Sequence, residues 1–149
     1  MNVEKHLVFL VLFLLESRAL VTETNLDAKE VFRFEKEIPS LQIDNEIHEI
    51  GWVWLINPEN VLNIKCQLWQ NDNVTDIAEY AHKGDKYVTH LYELGEFVGY
   101  FDSNKLVLHK LPPSLEGADL HICVTYTVRS FEFESVCAKY AQLKSTRIV

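Results

Sequence analysis

The feature that most constrains this chain is an alternation of period two. Leu62, Ile64, Cys66 and Leu68 are apolar, and the residues between them, Asn63, Lys65 and Gln67, are polar. A strand sends successive side chains to opposite faces, so this pattern suits a strand with one buried face and does not suit a helix. Residues 48–56, HEIGWVWLI, are rich in aromatic and branched side chains and stop at Asn57-Pro58, a turn signal. Residues 105–111 form a short apolar run closed by Pro112-Pro113, and residues 120–128 and 131–140 read as a hairpin around Arg129-Ser130. Residues 76–100 are broken into short pieces by Gly84, Gly95 and Gly99. Residues 20–45 are mixed and charged, and read as an N-terminal extension with one strand near residues 31–34. Short strands between turns, with no repeat and no internal linker, point to an all-β sandwich or barrel spanning residues 46–149.

Composition narrows the function. At 149 residues and 48 % hydrophobic, the chain suits one domain with a sizeable core. A formal charge of −8 argues against binding a phosphate backbone or an anionic membrane, both of which reward clustered Lys and Arg. No nucleic acid is expected as a partner.

The N-terminus reads as an address. Lys5 sits in a short polar stretch, and residues 7–15, LVFLVLFLL, are uninterrupted hydrocarbon. That run suits the core of a signal peptide and falls well short of the roughly 20 residues that span a bilayer. Ser17 and Ala19 place small residues at −3 and −1 of a cut after Ala19, so residues 1–19 are expected to be removed and the remainder secreted. The polar residues 144–149 lack a lipid-anchor signal, so no membrane anchor is expected. Asn73-Val74-Thr75 is an N-glycosylation sequon in a polar, turn-like stretch, which makes Asn73 the expected glycan site.

Three cysteines, Cys66, Cys123 and Cys137, follow the cut. In an oxidising compartment two are expected to pair. With Ser130 as the hairpin centre, Cys123 and Cys137 stand directly opposite one another, close enough to bridge at a non-hydrogen-bonded site. A Cys66–Cys123 bond closes a longer loop, but loop entropy favours it by under about 1 kcal/mol and does not decide the pairing.

Four segments resemble the immunoglobulin superfamily. Residues 61–66, VLNIKC, are similar to its B strand, and residues 80–84, YAHKG, to its C-strand segment. Residues 104–111, NKLVLHKL, resemble an E strand, and residues 116–123, EGADLHIC, the approach to the second cysteine. Tyr80 stands where the family has its core Trp, and His121 where it has the tyrosine-corner Tyr. The resemblance implies an antiparallel two-sheet sandwich, and a Cys66–Cys123 disulfide stapling the sheets, with Cys137 outside it.

Chemistry is thin. His82 and His90, with Asp85 between them, match no metal-ligand spacing, and none of the cysteines forms a CxxC pair. No GxSxG or Gly-rich phosphate loop is present. Glu132 and Glu134 read as a solvated strand face rather than an acid–base pair. The chain reads as a non-enzyme without cofactor or metal.

If Cys123 faces the core, the other face of its strand carries Leu120, Ile122, Val124, Tyr126 and Val128. Such an apolar strip on an open face marks a partner surface, for another extracellular protein or for a second copy in a homodimer. The leading expectation is a secreted recognition protein binding through a sheet face. The alternative is a lipid carrier of lipocalin-like or other barrel fold, holding its ligand among Trp52, Trp54, Phe97 and Phe101.

Overall fold

A single helical turn, α1 (Ala28–Val31), leads into two short strands, β1 (Phe32–Phe34) and β2 (Ser40–Ile43). Eight more follow: β3 (Ile47–Trp54), β4 (Val61–Gln70), β5 (Asn73–Lys83), β6 (Lys86–Leu91), β7 (Val98–Asp102), β8 (Lys105–His109), β9 (Asp119–Arg129) and β10 (Glu132–Ser145). The computed structural model describes residues 26–44, 46–83, 86–91, 98–102 and 104–145. The expected signal peptide and its cut after Ala19 lie outside the described residues, as does Phe97. Among the described residues no helix is long and apolar enough to cross a membrane.

Local chemistry sets the boundaries. At the expected turn, Asn57 accepts a hydrogen bond on Oδ1 from the Glu59 backbone N–H, 3.1 Å, and Pro58 opens a 3₁₀ turn, Pro58–Asn60. Pro113 opens a second one, Pro113–Leu115. Asn71, at φ 55°, turns β4 back into β5 in the left-handed region that Asn tolerates. Gly51 sits mid-strand in β3 because the Glu35 carboxylate takes the space of a side chain, its nearest oxygen 2.6 Å from where a Cβ would stand.

The strands form two sheets, ordered β1-β3-β8-β7 and β2-β10-β9-β4-β5-β6. Among the described residues every pairing is antiparallel except one: β2 runs parallel to β10, from Ser40 opposite Gln142 to Ile43 opposite Ser145. The sheets share one hydrophobic cluster. Ile50, Trp52, Leu106 and Leu108 enter it from the four-stranded sheet, and Ile64, Cys66, Leu68, Leu120, Ile122 and Val124 from the six-stranded one. Trp52 is fully buried and meets Trp54 and Phe101 edge-on, at centroid distances of 5.9 and 6.4 Å.

Within residues 20–45, expected as an extension, β1 joins one sheet and β2 the other. The strand expected near residues 31–34 is β1, and Val31, Phe32, Leu41 and Ile43 belong to the common core.

Candidate functional site

The apolar strip of β9 does not form a partner surface. Leu120, Ile122 and Val124 are fully buried, Tyr126 is 3 % exposed, and Val128 packs against the same core. The expectation placed Cys123 in the core. In the structure Cys123 points outward, and strand parity sends its neighbours Ile122 and Val124 inward.

The same parity overturns the Cys66–Cys123 disulfide. β4 and β9 are neighbours in one sheet, with Lys65 opposite Cys123 and Cys66 opposite Ile122, so the two sulfurs lie on opposite faces. The bond instead joins Cys123 to Cys137, directly opposed on β9 and β10 with Cα atoms 4.0 Å apart. Cys66 is a buried free thiol. Burial raises its pKa far above the ordinary thiol range, and the charge on Asp76 adds to the shift.

The outer face of the six-stranded sheet is polar, laced with hydrogen bonds, and carries a few exposed apolar groups. Trp69 lies flat on His121, with ring centroids 3.9 Å apart and planes 17° from parallel. Trp69 Nε1 donates to Gln67 Oε1, 3.1 Å, and Gln67 Nε2 donates to Asp76 Oδ1, 2.8 Å. Lys65 Nζ lies 3.5 Å from Asp76 Oδ2, and Asn63 Nδ2 donates to Glu79 Oε1. Further across the face, Lys139 Nζ pairs with Asp119 Oδ1 at 3.1 Å, and the Thr125 and Ser135 hydroxyls share a hydrogen bond of 2.7 Å. The disulfide joins β9 to β10 near one border of this face, with Cys123 Sγ 3.2 Å from Gln67 Oε1.

Among these groups Trp69 is 39 % exposed, Val74 56 % and Phe133 64 %. At the hairpin tip Phe131 is fully exposed and held at φ 66°, a conformation that bulky residues rarely take. Trp69 was legible in principle: it occupies the solvent phase of the β4 alternation, after Asn63, Lys65 and Gln67, where a large aromatic has no core to fill.

The remaining expected residues are dispersed. Asn73 is exposed at the start of β5. His82 and His90 occupy register positions opposite Tyr87 and Glu79, and Asp85 lies outside the described residues. Glu132 faces Arg129 across the turn at 3.9 Å. Among the described residues no group of three His, Cys, Asp or Glu side chains is placed to hold a metal. Neither a protein-family model nor a curated protein sequence matches this chain.

Proposed function

We propose that this chain is a secreted recognition protein with an immunoglobulin-like fold, which binds another extracellular protein through the outer face of its six-stranded sheet. The observation that carries the reading is that face itself. Trp69, Val74 and Phe133 stand exposed among side chains already fixed by hydrogen bonds and a disulfide, so little ordering remains to be done on binding. Large aromatic anchors within a polar surround are the usual composition of an interface hot spot.

Strand order supports the fold assignment. With β1, β3, β8 and β7 in the places of strands A, B, E and D, and β10, β9, β4, β5 and β6 in those of G, F, C, C′ and C″, the arrangement matches a variable-type immunoglobulin sandwich. In this placement β4 takes the place of strand C rather than B. Ile122 then stands inside strand F and Trp52 inside strand B, so apolar packing replaces the family's inter-sheet disulfide. The hydrophobic run at residues 7–15 and the Cys123–Cys137 pair support an oxidising, extracellular destination.

The test is binding of the purified mature chain to extracellular proteins, compared with a Trp69→Ala, Phe133→Ser variant. A partner held by the parent chain should bind the variant roughly thirty-fold or more weakly, corresponding to a hot-spot loss of about 2 kcal/mol, with an unchanged melting temperature. A partner retained equally by both would overturn the assignment of the face. A lipid recovered stoichiometrically by organic extraction would replace recognition with transport.

A further inference from the structure

We propose that the Cys123–Cys137 bridge is a thiol–disulfide exchange site, opened in the folded protein by extracellular dithiols through attack on Cys137. Three observations carry it. The bridge is on the outer face, where Cys137 is exposed and Cys123 is only 7 % exposed. β2 pairs with β10 only along Gln142–Ser145, so at Cys137 no strand among the described residues lies beyond β10. The bridge runs from β9, inside the sheet, to β10 at its border. An attacker arriving from the open side therefore reaches Cys137 Sγ, the exposed sulfur, and Cys123 Sγ is the leaving group.

The step balances with a dithiol as reductant. A thiolate of the dithiol bonds to Cys137 Sγ while the Cys137–Cys123 bond breaks, and the electron pair leaves on Cys123 Sγ. That sulfur takes a proton from solvent, and as a thiol it finds a ready acceptor in Gln67 Oε1 at 3.2 Å. The second thiol of the reductant then attacks its own mixed-disulfide sulfur and releases Cys137 as a thiol. The protein disulfide gains two electrons and two protons, and the dithiol becomes a disulfide.

The fold is arranged to survive the change. The β9–β10 ladder continues on both sides of the bridge, from Glu132 opposite Arg129 to Gln142 opposite Asp119, and β4 holds β9 from its other side. Leu120, Ile122 and Val124 stay buried on the inner face whatever the state of the sulfurs. Cys66 cannot re-pair with either released thiol, because it is buried on the opposite face. Where this face is the recognition surface proposed above, the exchange changes what a partner meets along its β10 border. The exchange itself does not depend on that reading.

The experiment treats the full mature protein with dithiothreitol without denaturant, alkylates with iodoacetamide and maps the peptides. Cys123 and Cys137 should be modified, Cys66 should not, and the near-ultraviolet circular dichroism should be retained. Modification only in denaturant, labelling of Cys66, or loss of the tertiary signal on reduction would each overturn the proposal. Site selectivity is read from the single variants. With oxidised glutathione, Cys137 in the Cys123→Ser protein should react at least tenfold faster than Cys123 in the Cys137→Ser protein. Equal or reversed rates would overturn attack at Cys137, and brief acid-quenched treatment of the parent protein with reduced glutathione locates the mixed disulfide without any variant.

Discussion

His121 is expected to make the protein sensitive to mild acid. Only 8 % exposed beneath Trp69, its ring is held below the usual imidazole pKa chiefly by burial, with nearby Lys139 acting in the same direction and Asp119 opposing both. A base whose folded pKa is depressed binds fewer protons folded than unfolded, so its contribution to stability declines as pH falls through about 6.5, the unfolded value. The melting temperature is therefore expected to drop more between pH 7.5 and 5.5 for the parent chain than for His121→Phe, which keeps an aromatic partner for Trp69. Equal drops would show that His121 titrates normally. Asn73 gives a second prediction on this scale. Exposed beside a tight turn, it should carry glycan after passage through a eukaryotic secretory pathway. A glycosidase-sensitive mass in the parent and none in Asn73→Gln is the expected result.

On the scale of one strand, β9 divides sharply between its faces. Ile122→Ala removes fully buried hydrocarbon and should cost about 2–5 kcal/mol, read as a lower denaturant midpoint. Thr125→Ala, three residues on, loses only an exposed hydroxyl pair and should cost about 0.2–1 kcal/mol. Inversion of these two costs would reverse the facing of the strand. The alternation of β4, the Asn57-Pro58 stop and the opposition of Cys123 and Cys137 were all legible in the sequence, because each is a local property of pleat, turn or hairpin register. The facing of β9 was not, because period two leaves its absolute phase open. A cysteine does not choose the phase; the five-membered run from Leu120 to Val128 is the larger apolar mass and decides it. Sheet membership was equally hidden: nothing local to residues 61–70 says that β4 lies beside β9 rather than across the core from it.

Over the whole molecule, residues 26–43 are structural rather than appended. They close both sheets and add Val31, Phe32, Leu41 and Ile43 to the core. A chain beginning at Glu46 should lose the cooperative thermal transition of the mature protein, since the burial of four apolar side chains, worth about 1.5–3 kcal/mol each, rivals the total stability of about 5–15 kcal/mol of an ordinary domain. A truncated chain that melts sharply at the parent temperature would show these strands to be dispensable. Their charged, mixed sequence concealed this role, because strands of three and four residues are too short to display a period. The parallel pairing of β2 with β10 has a mechanical consequence. Tension applied between Pro39 and the residues after Ser145 pulls two side-by-side strands lengthwise past one another, so the ladder bonds from Ser40 to Ile43 share the load instead of opening one at a time. An antiparallel pair with the same number of bonds, pulled from one end, would unzip. The molecule thus carries a shear clamp where β2 meets its last strand, β10, and because Leu41, Ile43 and Leu143 on that seam belong to the core, a pull through it breaks the ladder and the core packing together.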